Sequence, residues 1–283
     1  MKEDSPATAE QAPPKKVNHL AVCVLASGSK GNAIHVSDGK TNILFDAGLS
    51  GIEIERRLRE RNMAAQAIQA IIVSHEHTDH IKGVGVLSRR YGIPVYINEG
   101  TKAAGASELG VIKHTESFCC GRDFCINHLT IHPFSTSHDA RDPAGFTIQK
   151  NGIKIGLAMD LGIATRLVKE HLKGSDLLVL EANHDMEMLE KGPYPWPVKQ
   201  RIRSRLGHLS NTESRDLLME IQHSGLDYVV LGHLSETNNT PEKALREIGP
   251  ALNGCKASLA VATQDRCGEI FYVEGSKGDS TSF

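Results

Sequence analysis

The run His75-Glu76-His77-Thr78-Asp79-His80 concentrates three imidazoles and an aspartate in six residues. Imidazole nitrogens and carboxylate oxygens are ligands for transition metals. Two histidines spaced two apart at a strand end, then Asp79 and His80 opening the next element, offer donors enough for two ions close together. Three more donors stand where apolar runs stop: His138 in FSTSHD, Asp160 after GLAM and His233 after YVVLG. Active sites of layered sheet proteins gather on loops at such ends. The seven donors divide naturally. His75, His77 and His138 take one ion, Asp79, His80 and His233 the other, and Asp160 bridges. This set suits Zn²⁺ and also accepts Mn²⁺ or Fe. Two ions so held lower the pKa of a shared water, which is the chemistry of hydrolysis.

The elements that must present these donors can be read from pattern. Residues 19–26 (HLAVCVLA) and 68–74 (IQAIIVS) read as strands, the second of the fully buried kind. AIHVSDGKTNILF reads as a hairpin, and Asn151-Gly152 is the strongest hairpin turn in the chain. Residues 52–65, 198–206 and 211–223 read as helices, the last capped by Asn211 or Thr212. PEKALREIG is a helix with proline in its first turn. Hairpins and helices alternate twice, with no simple βαβ repetition. The fold class expected is α+β, a four-layer αβ/βα sandwich.

Composition bounds the rest. The chain has 283 residues, 40% apolar and 23% charged, enough for a large core. Basic and acidic residues nearly balance, 32 against 34, so bulk charge does not hold it to nucleic acid. A local patch exists at residues 199–205, where Lys199, Arg201, Arg203 and Arg205 precede His208. It reads either as a solvated helix face or as a clamp for a nucleic-acid backbone. Tyr194 and Trp196 either stack on a terminal base or anchor their loop. No apolar run is long enough to cross a membrane, and no membrane partner is expected. The opening MKEDSPATAE does not resemble a secretory signal, so a cytoplasmic location is expected. The six cysteines form no CxxC pair and are expected as free thiols. Residues 1–16 and 277–283 are expected as loose tails around one domain over 17–276.

HxHxDH followed by a distant His, Asp and His resembles the metallo-β-lactamase fold superfamily. Further motifs resemble its bacterial WalJ/YycJ-type, VicX-like branch: LASGSKGN (residues 25–32), SHEHTDH (74–80), SHDARDP (137–143), EANHD (181–185), GHLSN (207–211) and HLSETNN (233–239). The resemblance covers about residues 19–275. It implies a dinuclear-metal phosphodiester hydrolase, a DNA exonuclease, with nucleic acid as partner. It also implies that Glu181 orients His208, which gives a proton to the leaving group, although GHLS stands where nuclease relatives carry GHST. Asp79, Glu181 and His208 are thus the expected catalytic residues. Asp46 and His184 are expected behind the ligands. Asn211 and Asn238 are expected on the substrate beside the basic residues. The turn at residues 27–32 either passes close to metals or phosphate or is a plain tight turn. Two rival readings are hydrolysis of a small lactone, thioester or cyclic nucleotide, and a non-catalytic signalling protein on the same fold.

Overall fold

Apolar residues in β1 (His19–Ala26) occupy both faces of the strand, which only a sheet covered on both sides can accommodate. Leu20, Val22 and Val24 point one way and Cys23 and Leu25 the other, into two separate cores. The computed structural model describes residues 18–275. The tails expected over residues 1–16 and 277–283 lie outside them.

Two seven-stranded sheets result. The first holds β1, β2 (Ala33–Ser37), β3 (Asn42–Phe45), β4 (Ala70–Ile72), β5 (Val95–Tyr96) and β6 (Thr115–Glu116). The second holds β7 (Phe124–Ile126), β8 (Leu129–Ser135), β9 (Ala144–Lys150), β10 (Ile153–Ala158), β11 (Leu177–Glu181), β12 (Tyr228–Gly232) and β13 (Ser258–Val261). The last strand, β14 (Ile270–Glu274), returns to the first sheet and pairs antiparallel with β1. There Gly275 N donates to Asn18 O at 3.2 Å, so the two ends of the domain meet.

The facing surfaces of the sheets form the central core, with Phe45 against Phe146 at 5.3 Å between ring centroids. Helices cover the outer faces. On the first sheet lie α1 (Gly51–Glu60), α2 (Thr78–Ile81), α3 (Val84–Tyr91), α4 (Glu99–Ala104) and α5 (Ala106–Leu109). On the second lie α6 (Arg166–Leu172), α7 (Met186–Lys191), α8 (Trp196–Ile202), α9 (Asn211–Ile221) and α10 (Pro241–Ile248). Ile54, Leu58, Val84 and Leu87 seal the first outer core, and Leu217, Leu218 and Ile248 the second. The order helix, sheet, sheet, helix is the expected four-layer sandwich. No described helix is long and apolar enough to cross a membrane.

Strand direction prepares the site. β3 and β4 run parallel, as do β10, β11 and β12. Their C-terminal ends therefore share an edge, and the polar residues that follow them converge. Two helix boundaries differ from the pattern reading. The helix expected over 198–206 is α8, which begins two residues earlier, inside PYPWP, because proline is favoured in a first turn, and stops at Ile202. The cap of α9 is Ser210, not Asn211 or Thr212. Its hydroxyl accepts from Glu213 N, and the Glu213 carboxylate accepts from Ser210 N, closing a capping box.

Candidate metal centre

Asp46, Asp160 and His233 follow β3, β10 and β12 with φ of 58°, 54° and 55°. Left-handed backbone costs a non-glycine residue about 1 kcal/mol or more and concentrates at functional sites. Here each tight bend turns a polar side chain back over the end of its own sheet. His75 and His77 leave β4, and the first turn of α2 presents Asp79 and His80.

The side chains meet as two groups. His75 Nε2 lies 3.2 Å and His138 Nε2 lies 3.3 Å from His77 Nδ1, and donor atoms of the three fall within 4.8 Å of one another. Asp79, His80 and His233 form a second group with the same closeness. Asp160 stands between them, with Oδ2 at 3.0 Å from His80 Nε2 and Oδ1 at 3.7 Å from His138 Nε2. The two triads expected from the sequence are thus both close groups, and two further groups, His75 with His80 and Asp160, and Asp160 with Glu181, His208 and His233, cut across them. Three imidazoles offer Nδ1 to a protein acceptor, that of His233 lying also 3.1 Å from Asp160 Oδ1. His80 donates to Asp46 Oδ2 at 2.8 Å, His138 to the Gly207 carbonyl at 3.1 Å and His233 to Glu181 Oε1 at 2.8 Å. Each Nε2 then faces inward, the orientation that outer partners impose on metal-binding histidines.

Charge tells whether cations fit. Asp46, Asp79, Asp160 and Glu181 gather here, and among the described residues none pairs with Lys or Arg. Buried carboxylates need such compensation. Burial opposes a charge on His80 and His233, yet the surrounding carboxylates, Asp160 foremost, hold both imidazoles well above their ordinary range. Burial also opposes the charge on Asp160, but His233 and His80 keep it well below the carboxylate range. His75 goes the other way: burial and the His80 imidazole hold it well below the usual range and leave it a neutral donor. The buried Asp160 Oδ2, although 3.0 Å from His80 Nε2, makes no hydrogen bond of good geometry. An acidic cluster with inward lone pairs and an orphaned carboxylate oxygen is chemically fitted to divalent cations.

Glu181 and His208 come together as the resemblance implied. His208 Nδ1 donates to Glu181 Oε1 at 2.7 Å, and its ring packs between those of His138 and His233, at 5.1 and 5.0 Å. Glu181 Oε2 accepts from Leu161 N and Leu209 N. Burial pushes this carboxyl up, but the imidazoles of His208 and His233 outweigh it and hold it at about 2. Glu181 is therefore a fixed anion and acceptor.

Other expectations meet different fates. Asp46 does sit behind His80. His184 is fully buried, but neither ring nitrogen finds a partner, so it braces no ligand through a hydrogen bond. The residue that does so nearby is Asn183, whose amide donates to His233 O at 2.9 Å. Asn211 and Asn238, expected on substrate, are 2% and 0% exposed. Asn211 is locked to Asn239 by reciprocal amide bonds of 2.9 and 2.8 Å, and Asn238 lies in the turn after β12, so substrate cannot reach either. Lys199 Nζ donates to Glu190 O, and Arg201 pairs with Asp139 at 2.6 Å, while Arg203 and Arg205 extend into solvent.

The turn at residues 27–32 proves to be part of the site. Ser27 Oγ accepts from His233 N at 2.7 Å. Asn32 Nδ2 lies 3.2 Å from Asp79 Oδ2 and 3.1 Å from His80 Nε2. Gly48 lets this turn and α2 close together, because a Cβ there would stand 1.6 Å from Asp79 O. Ser74, Asn183 and Asp139 likewise escape a reading by residue type. Only their position beside a histidine or strand end marks them.

Comparison with known proteins agrees. Residues 41–234 match the family described as a Beta-lactamase superfamily domain. The chain is 37% identical over 235 residues to Exodeoxyribonuclease YycJ of Bacillus anthracis, covering 82% of this chain and 89% of the relative. It is 38% identical over 225 residues to Exodeoxyribonuclease WalJ of Streptococcus pneumoniae serotype 2 strain D39, covering 78% and 84%. Among solved structures, the metallo-beta-lactamase fold protein YhfI of Bacillus subtilis superposes with a TM-score of 0.70 at 18% identity, over 90% of this chain and 100% of that one. That last likeness concerns the fold. The family match and the two relatives make this chain a member of the beta-lactamase superfamily, in the branch of the WalJ and YycJ proteins.

Proposed function

We propose that the chain is a dinuclear-metal phosphodiester hydrolase that degrades DNA from an end. The observation that carries this is the packing of Glu181 and His208 against the seven converging donors. The activity for which the two relatives are named, exodeoxyribonuclease, supports DNA as the substrate.

In this reading His75, His77 and His138 hold one ion, Asp79, His80 and His233 the other, and Asp160 both. Zn²⁺ or Mn²⁺ fits the donors best, and Fe is accepted. Bound there, the ions supply Lewis acidity toward phosphoryl oxygens and acidify water. The protein supplies the proton at the other end of the reaction. Glu181 accepts the Nδ1 proton of His208 and fixes the ring, so that with His208 doubly protonated the Nε2 proton is the one that passes to the leaving oxygen, leaving the neutral Nδ1–H imidazole. The exposed side chains of Arg203 and Arg205, which pair with no carboxylate among the described residues, offer charge to the backbone of the strand.

A labelled panel of single- and double-stranded DNA and RNA, combined with elemental analysis, tests this. Wild type should carry metal and cleave DNA. Asp160→Ala should lose metal and nearly all cleavage. His208→Ala should keep metal and lose on the order of 10²–10³-fold in rate. Equal cleavage by wild type and Asp160→Ala would mark a contaminant and end the assignment. Loss of metal from His208→Ala would make His208 a ligand instead.

A further inference from the structure

Trp196 is the only tryptophan of the chain and is 61% exposed. Indoles rarely stay this open, because burying one removes a large apolar surface from water. Its neighbour Tyr194 is used otherwise: the hydroxyl donates to Thr237 Oγ1 at 3.2 Å and anchors the loop. The two aromatic residues of GPYPWP therefore part company, one a tether and one presented outward.

What presents Trp196 is rigid and leads to the metal centre. Trp196 opens α8 between Pro195 and Pro197, where the prolines restrict the backbone. The far end of the segment is built into the ligand loop. Leu206 O accepts from Asp139 N at 3.0 Å, Arg205 O from Ser137 Oγ at 2.9 Å and Gly207 O from His138 Nδ1 at 3.1 Å. Arg201 is drawn onto Asp139, whose other oxygen lies 3.3 Å from His138 Nε2. Gly162 packs so closely beneath that a Cβ would stand 2.2 Å from Arg205 O. Trp196 is five residues before Arg201, about 7.5 Å along the helix axis. Stacked bases are about 3.4 Å apart, so the indole stands roughly two base steps out from the arginine at the ligand loop. Lys199 lies between Trp196 and Arg201 in the chain and the exposed Arg203 and Arg205 follow, local positive charges complementary to a phosphate backbone.

We propose that Trp196 is a stacking platform for a base of the bound DNA strand, which holds the strand so that its scissile phosphate lies at the metal centre. The proposal rests on the nuclease reading above. Stacking on an indole tolerates any base, which agrees with the lack of a base-reading motif.

Because the chain has one tryptophan, its fluorescence reports on this residue alone. The metal-loaded protein is titrated with a phosphorothioate-capped oligodeoxynucleotide that resists cleavage, and with an abasic deoxyribose-phosphate strand of equal length. The intact oligonucleotide should quench the emission saturably and the abasic strand should not. Trp196→Ala should raise KM for DNA about tenfold or more, with turnover of bis(p-nitrophenyl) phosphate unchanged, and Trp196→Phe should recover most of the loss. Equal quenching by both strands, or DNA cleavage by Trp196→Ala with wild-type KM, would overturn the platform and leave the nuclease reading standing. Wild type that turns over the small diester but neither binds nor cleaves DNA would overturn both. Emission that changes with protein concentration alone would assign the indole to contact between two copies and also overturn the platform.

Discussion

Glu181 carries two obligations on one oxygen. Oε1 accepts from His208 Nδ1 at 2.7 Å and from His233 Nδ1 at 2.8 Å, one a proposed proton donor and the other a proposed ligand. Removing His208 should therefore touch rate alone, whereas altering Glu181 should touch rate and metal together. Glu181→Gln keeps the shape but loses the charge that favours both imidazoles. We expect it to lose activity as His208→Ala does and, in addition, to retain less than two equivalents of metal. Elemental analysis beside kcat decides it; a Glu181→Gln protein with full metal would show that His233 is held by its backbone and packing. Single residues were unevenly legible. Histidines and aspartates at strand ends announce themselves, because few other reasons place them there. Asn32, Ser74 and Asn183 do not, because amides and hydroxyls serve turns everywhere, and their role depends on which chain segment folds against them. Asn211 and Asn238 show the converse error: polar residues in a motif turned inward to hold the backbone of their own loops.

At the scale of elements, the strands were legible because burial on both faces leaves continuous apolar runs. The same two-sided burial traps His35, on β2, at 4% exposure with Nε2 donating to Asn42 Oδ1 at 3.2 Å. Burial drives its pKa from 6.5 down to about 4, with Asn42 opposing weakly. The folded value lies below the unfolded one, so the unfolded chain binds the extra proton between them. Stability is then full above pH 6.5 and falls as the pH drops toward 4, by at most about 3 kcal/mol from this group. His35→Gln should flatten that slope. Denaturant titrations of both proteins from pH 7 to 4.5 measure it, and the difference between them cancels the titration of the ligands. Identical slopes would mean that His35 reaches water on the acid side. The α9 cap shows why element ends were harder. Ser210, Asn211 and Thr212 are all good caps, and only the spacing to Glu213 favours the first. In α8, proline reads equally as a break or a beginning, and the packing of residues 203–207 under the ligand loop decided where the helix ends.

At the scale of the molecule, the sandwich brings together the C-terminal ends of strands from both sheets, so a site assembled from residues 46 to 233 needs no long loop. Near-neutral net charge requires any hold on DNA to be local, in our proposal through the segment from Trp196 to Arg205. The class of sandwich followed from the alternation of hairpins and helices. What sequence pattern did not reveal was that the last strand crosses back to the first sheet, since pairing of β14 with β1 leaves no local trace.

That return has a consequence for how the protein folds. The bond from Gly275 to Asn18 leaves the domain with no structural beginning. Join those residues through a short linker, open the chain at the exposed Lys113, and every strand keeps its neighbours. The contact between the two ends of the described residues, His19 opposite Glu274, becomes a contact across one turn. Folding slows as contacts lengthen along the chain, because closing long loops costs entropy before any pairing repays it. Such a circular permutant should bind the same metal equivalents and refold faster than the natural order. Stopped-flow refolding of the two chains compares them, and a slower permutant would mean that the β1–β14 pair forms only after the rate-limiting step.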